Sequence, residues 1–197
     1  MRHAAAPLVV LATLAGILTL APARAATIEV DGEVDPPVIA IEGTVEPKDL
    51  AAFLDKARGL RQAVVRMRSI GGSILPAMAI GRELRRLGFA TEVREYCNSA
   101  CSLIWIAGTT RYLPPGSRVG FHQPREQNHA VSIPGVALEA SYLARLGLTD
   151  AAITWAVSAA PTDLRWLTLE DARRLEIAVV PEAAQTSAKP VLPRLPF

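Results

Sequence analysis

The sequence is poor in the residues that most often build metal centres. Its 197 residues include two cysteines and three histidines. Cys97 and Cys101 have no further ligands at metal-binding spacing, and only His122 and His129 lie beyond the N-terminal segment. We therefore expect no bound metal, and the sequence points to no other cofactor.

The sequence also has no basic patch once its N-terminal segment is set aside. Residues 1–25 combine a positive start, an apolar run and the small-residue site Ala-Arg-Ala, a pattern typical of a secretory signal peptide cleaved after Ala25. An uncleaved anchor is the alternative, although the apolar run 8–20 is short for a membrane span. Without Arg2 and Arg24, the 21 Lys and Arg residues fall to 19 and balance 19 Asp and Glu. We predict a periplasmic or secreted protein that binds no nucleic acid.

Export has a consequence for the two cysteines, because disulfides form outside the reducing cytosol. Cys97 and Cys101 lie on either side of Ser99, so a bridge between them would brace that segment. Two small buried thiols are the alternative. A bridge requires the two Cα atoms to lie within about 7 Å of each other.

The apolar periodicity predicts one α/β domain over residues 26–180, followed by a proline-rich, disordered tail over 181–197. The predicted strands are 27–30, 38–41, 63–67, 90–96, 110–113, 118–122 and 177–180. The predicted helices are 47–57, 74–87, 103–107, 136–146, 150–159 and 168–175. Alternation of strands and helices implies parallel strands with right-handed crossovers. Sites in such sheets lie at the carboxyl ends of the strands.

A sharp bend is predicted at Ser99, between a strand and a strongly apolar helix. A serine at such a bend is exposed, and the amide that follows it opens the helix with N–H groups that can face a developing negative charge. Cys101 and Ser102 are rival nucleophiles. Cys101 falls two residues past the bend, where a buried or bridged thiol is favoured over a catalytic one.

A serine hydroxyl needs a base to take its proton, and the exported part of the chain offers two histidines. His122 ends a predicted strand, so packing would hold its ring; a purely structural histidine is the alternative. His129 lies in a polar loop, and we predict that it is a surface residue. Asp163 precedes a predicted helix and is the candidate to orient the histidine, with a helix cap as the alternative.

Gly71 and Gly72 follow a predicted strand. They are either a simple turn or a segment whose backbone approaches the substrate and directs an N–H group at an oxyanion. The second N–H group would be that of Ala100.

Several of these segments, in this order, resemble those of ClpP-type serine peptidases. Residues 69–74 resemble the oxyanion loop of that family, and Ser99 with residues 111–114 resembles its nucleophile segment. Residues 118–124 resemble its catalytic-histidine segment, and 166–176 resemble the terminal helix that follows its catalytic aspartate. The similarity spans about residues 38–180, and the sequence resembles the secreted or periplasmic ClpP-like group more than the cytosolic relatives.

The resemblance implies a ClpP/crotonase-type fold, a spiral of ββα units. It also implies a Ser99–His122–Asp163 triad, an oxyanion hole from Gly71 or Gly72 with Ala100, a peptide or protein substrate, and a homo-oligomer. The sequence departs from the family at Ala100-Cys101, where Met-Gly is usual, and Asp163 is displaced by one residue. Because an exported chain has no ATP supply, no ATPase partner is implied.

Three hypotheses follow. The first is a periplasmic serine peptidase that works through an acyl-enzyme. The second is a non-catalytic module that kept the fold for oligomerisation or peptide binding. The third is a crotonase-like acyl-CoA enzyme, which export away from the cytosolic CoA pool disfavours.

Overall fold

A mixed sheet forms the centre of the computed structural model, which describes residues 25–188. The strands, in chain order, are β1 (Thr27–Asp31), β2 (Val34–Asp35), β3 (Val38–Val45), β4 (Val64–Gly72), β5 (Ala90–Asn98), β6 (Arg111–Tyr112), β7 (Arg118–Phe121), β8 (Arg165–Trp166) and β9 (Ser187–Ala188). In the main sheet the order is β1-β3-β4-β5-β7-β8, with β6 also paired to β5. Strands β3, β4, β5 and β7 run parallel, whereas β1 and β8 are antiparallel to their neighbours.

Six helices occur in the described part of the chain. They are α1 (Asp49–Ala57), α2 (Ile74–Arg86), α3 (Ala100–Ile106), α4 (Ile133–Arg145), α5 (Asp150–Ala156) and α6 (Leu169–Arg174). Every residue of α3 is buried, because the helix packs against α2 and against strands β4 and β5. The predicted alternation of strands and helices is therefore confirmed, although α3 begins three residues earlier than its apolar run indicated.

The two faces of the sheet differ because side chains alternate along each strand. Ile41, Met67 and Val93 are fully buried in one cluster with side chains from the helices. On the alternate positions, Arg66 and Glu92 form an ion pair of 2.9 Å across neighbouring strands. This alternation fixes the register of the central strands, since a slip of one residue would place the charges among the apolar side chains of the core.

The C-terminal part differs from the sequence prediction. Residues 177–180 were predicted to be a strand, but only Val180 forms a bridge, to Tyr112. Within the segment predicted as a disordered tail, Ala184 is buried against Val38 and Val64, and β9 pairs with β2.

Residues 1–24 and 189–197 lie outside the described residues, and with them lie most of the predicted signal peptide and the end of the tail. Among residues 25–188, none of the helices is both long enough and apolar enough to cross a bilayer.

Candidate active site

The carboxyl ends of β4, β5 and β7 meet at one edge of the sheet. Strand β4 ends at Gly72 and β5 ends at Asn98, so Ser99 comes directly after β5. Asn98 pairs with Gly120 of β7, which brings the start of α3 beside the segment that leads to His122. Three candidate segments that are distant in sequence therefore converge where parallel sheets place their sites.

Ser99 adopts a backbone conformation that non-glycine residues rarely adopt, with φ 55° and ψ −128°. Hydrogen bonds hold this bend on both sides. The Ser99 N–H donates to the Gly120 carbonyl at 2.9 Å, and the Ser99 carbonyl accepts from the Ser102 hydroxyl at 2.6 Å. Strained residues of this kind concentrate at functional sites. Ser102, considered as a rival nucleophile, is 1% exposed, and its hydroxyl donates to the bend.

A disulfide joins Cys97 to Cys101 across the bend, with the two Cα atoms 5.2 Å apart. Both cysteines are fully buried, and the bridge encloses Ser99 between the end of β5 and the first turn of α3. Of the two alternatives for this pair, the structure has the bridge. Cys101 therefore carries no free thiol and is not a nucleophile here.

Gly71 lies directly against the bend. A Cβ atom added to Gly71 would lie 2.6 Å from both the Ser99 Cβ and the Asn98 carbonyl oxygen, and 3.0 Å from the Ala100 nitrogen. With φ 101°, Gly71 also has a backbone conformation that favours glycine. The residue is therefore required for close contact between the glycine loop and Ser99, beyond a simple turn.

The Gly71 N–H already has a hydrogen-bond partner. The Gly71 N–H donates to the Ser69 hydroxyl at 3.0 Å, and that hydroxyl donates to the Gly43 carbonyl. Gly71 would have to leave this bond to hold an oxyanion. Ala100 is the first residue of α3, a position whose N–H has no acceptor within the helix.

Ser99 and His122 line the same cavity, which has a volume of about 480 Å³. Its walls are formed by Thr44, Ile70, Gly72, Ser73, Ile74, Ser99, His122, Pro124, Arg125 and Ser132. Ile70 and Ile74 give it an apolar side, and Arg125 gives it a cationic side. A cavity of this size accommodates a side chain and the adjoining backbone of a peptide.

The ring of His122 is held through one nitrogen. Its Nδ1 lies 2.7 Å from the carbonyl oxygen of Gln123. Because a carbonyl can only accept, Nδ1 must carry the proton, which leaves Nε2 of the neutral ring with a free lone pair. His129 does not line this cavity: it is exposed, and its Nδ1 lies 3.1 Å from an Arg125 nitrogen.

Asp163 is not brought to this site. Its side chain is exposed, it does not line the cavity, and its N–H donates to the Ala160 carbonyl at 3.0 Å. Over residues 25–188, no hydrogen bond joins Asp163 to His122. The reason is the register of β7 and β8, in which Gly120 pairs with Trp166 and Phe121 with Arg165.

Continued by one position, that register places Leu164 across from His122. The side chain of Leu164 reaches to 3.1 Å from where a Cβ of Gly120 would be, so it covers this part of β7. The residue opposite His122 in this continued register is therefore apolar and carries no acid.

Two groups at this edge of the sheet were not predicted from the sequence. The Gln123 carbonyl was missed because every residue has a carbonyl group; the proline that follows Gln123 was the one signal. Thr44 was also missed, and its hydroxyl is buried at the cavity without a hydrogen-bond partner in the described part of the chain.

Comparison of the sequence with family models gave no match, and comparison with characterised proteins gave none either. The structure, in contrast, is similar to solved structures. A serine-to-alanine variant of the 1510-N membrane-bound stomatin-specific protease superposes with a TM-score of 0.55 at 16% identity, over 73% of this chain and 78% of that one. ClpP1 from Listeria monocytogenes superposes with a TM-score of 0.55 at 16% identity, over 74% of this chain and 92% of that one.

An asparagine-to-aspartate variant of ClpP1 gives a TM-score of 0.50 at 15% identity, over 74% of this chain and 91% of that one. The chain has a ClpP-like fold. The fold prediction is therefore confirmed. At this level of identity the similarity establishes the fold alone, and the activity has to be argued from the site.

Proposed function

We propose that the protein is a periplasmic or secreted serine peptidase that cleaves peptide bonds through an acyl-enzyme on Ser99. The observation that carries the proposal is the shared cavity, which is lined by a serine on a strained bend and by a histidine with a defined tautomer. Two of the structures with this fold bear the names of a protease and of ClpP1, which supports the same class of reaction. Export is supported by the pattern of residues 1–25.

In the first step, the Ser99 hydroxyl oxygen attacks the peptide carbonyl while its proton passes to Nε2 of His122. The carbonyl oxygen becomes an oxyanion, for which the Ala100 N–H and the Gly71–Gly72 backbone are the nearby donors. His122 then gives the proton to the departing amine. Water, activated by the same nitrogen, hydrolyses the ester and restores Ser99.

The substrate is proposed to be a peptide or unfolded protein segment. The apolar side of the cavity, Ile70 and Ile74, suits an apolar side chain, and Arg125 suits a carboxylate or carbonyl group. Assembly into a homo-oligomer remains a proposal that rests on the resemblance to ClpP-type peptidases, and no ATPase partner is part of it.

A fluorophosphonate probe tests the proposal, because it reacts only with an activated serine. We expect the purified protein to be labelled at neutral pH, with the adduct on Ser99 by peptide mapping, and we expect Ser99→Ala to abolish labelling. Ser73→Ala is the matched control, since Ser73 lines the same cavity and its side chain does not cap α2. A folded wild-type protein that stays unlabelled would refute the proposal.

A non-catalytic peptide-binding module is the second candidate. The position of Asp163 favours it, as does the lack of any hydrogen bond between Ser99 and His122 in the described structure. Fluorescence anisotropy with labelled apolar peptides separates the two candidates. Binding by wild type and Ser99→Ala alike, with no probe labelling and no cleavage, would establish the module.

A further inference from the structure

The position of His122 raises the question of what orients its ring when no carboxylate does. In a serine-histidine-aspartate triad the acid accepts a hydrogen bond from Nδ1–H, which fixes the tautomer and the ring orientation. Here that proton goes to the main-chain carbonyl of Gln123 at 2.7 Å, and the residue opposite His122 in the continued register of β7 and β8 is Leu164.

The Gln123 carbonyl is itself held in a fixed direction. The residue before a proline is restricted to extended conformations, and Pro124 imposes this on Gln123. The Gln123 N–H donates to the Ala159 carbonyl at 3.0 Å, which anchors the residue at its other end.

The first turn of α4 fixes Pro124 in turn. The Pro124 carbonyl accepts from the Ser132 N–H at 2.8 Å. A Cβ added to Gly135 would lie 2.8 Å from the Pro124 Cβ and 3.0 Å from the Ser132 Oγ, so the helix start lies in close contact with the proline. Gln123 therefore has restricted dihedral angles, and both of its ends are hydrogen-bonded or packed.

We propose that the Gln123 carbonyl, fixed by Pro124 and the start of α4, positions His122 in the role of the triad acid, and that Asp163 is dispensable. The inference rests on the proposed function. A carbonyl fixes the Nδ1–H tautomer as a carboxylate does, but it carries no full charge to stabilise the imidazolium ion that forms during the reaction. The site is thus a serine–histidine dyad with a main-chain positioning group, and Pro124 is a positioning residue.

The first experiment compares rate constants of fluorophosphonate labelling over a range of pH. We expect Asp163→Asn to stay within about twofold of wild type, whereas loss of an orienting aspartate costs about 10⁴-fold in the triad of serine proteases. We expect Pro124→Ala to slow labelling by about 10- to 100-fold, since small misplacements of catalytic groups have effects of this size. A loss of about 100-fold or more in Asp163→Asn would overturn the inference.

A second pair of variants adds the missing charge. Leu164→Asp places a carboxylate across from His122, and Leu164→Asn is the uncharged control of the same shape. We expect only the aspartate to move the acidic limb of the labelling profile to higher pH, by about one unit or more, because a nearby negative charge favours the protonated imidazole. Identical profiles for the two variants would show that position 164 does not face the ring and would overturn the placement of Leu164 opposite His122.

Ring ¹⁵N chemical shifts of His122 give a readout that does not depend on activity. We expect the Nδ1–H tautomer in wild type and in Asp163→Asn, and a mixture of tautomers in Pro124→Ala. An Nε2–H tautomer in wild type would refute the inference. If wild type shows the expected tautomer but no labelling, the proposed function fails while the positioning of His122 stands.

Discussion

Substitution of Gly71 by alanine is the sharpest perturbation of the candidate site. The new methyl group would lie 2.6 Å from the Ser99 Cβ and from the Asn98 carbonyl oxygen. Neither neighbour can rotate away, because one is main chain and the other belongs to a bend held by hydrogen bonds and enclosed by a disulfide. The strand or the bend has to move.

The cost has two parts. An alanine at positive φ costs about 1–2 kcal/mol. Forcing a methyl group into a closely packed place typically costs a further 1–3 kcal/mol or so. We therefore expect Gly71→Ala to lower the free energy of unfolding by about 2–5 kcal/mol, and to slow labelling of Ser99 by about 100-fold if the bend moves by about 1 Å.

Gly116→Ala is the matched control. Gly116 also has a positive φ, 85°, but nothing lies within 4 Å of an added Cβ. This variant should lose only the conformational part, about 1–2 kcal/mol, and should label like wild type. Urea unfolding and the labelling rate are measured on both variants. Equal destabilisation together with wild-type labelling of Gly71→Ala would refute the claim that this glycine sets the position of Ser99.

Two further predictions concern buried groups. Replacing Cys97 and Cys101 together by alanine should lower the free energy of unfolding by about 2 kcal/mol, since the bridge spans a sequence separation of only 4. It should also slow labelling of Ser99 more than a stability loss of this size explains. Thermal melts and labelling rates measure the two effects, and unchanged labelling would contradict the bracing role of the disulfide. Burial raises the pKa of Glu139 from 4.5 to about 8, so the folded protein holds a proton that the unfolded chain releases, and stability should fall between about pH 4.5 and 8. Glu139→Gln should remove this pH dependence, so the two proteins should differ in their loss of unfolding free energy by pH 8 on the order of a few kcal/mol. Urea unfolding over this pH range measures the difference, and the same pH dependence in both proteins would contradict the prediction.

Much of the fold could be predicted because local patterns and tertiary structure agree. Helix α2 was predicted over 74–87 and is found at Ile74–Arg86, because its apolar residues recur at helical spacing and Gly88 follows. The convergence of Gly71, Ser99 and His122 could be predicted for a related reason. Gly71 lies at the end of a strand and Ser99 and His122 each follow one, and the carboxyl ends of parallel strands lie at one edge of a sheet.

Other features depend on contacts that no local pattern contains. The start of α3 at Ala100 is set by the bend and by the disulfide, so its apolar run indicated too late a beginning. The segment 177–180 is apolar enough for a strand, but its partner β6 is only two residues long and offers one bridge.

Asp163, the predicted third member of the triad, lies one residue before the position opposite His122 in the continued register of β7 and β8. Asp163 belongs to the turn that precedes β8, in which its N–H donates to the Ala160 carbonyl, and its side chain is exposed. Leu164, which immediately precedes β8, is the residue whose register reaches His122. A side-chain motif cannot indicate what replaces the acid, because the replacing group, the Gln123 carbonyl, belongs to the main chain. The useful signal is the proline after Gln123, which restricts that residue and so turns an ordinary carbonyl into a fixed acceptor.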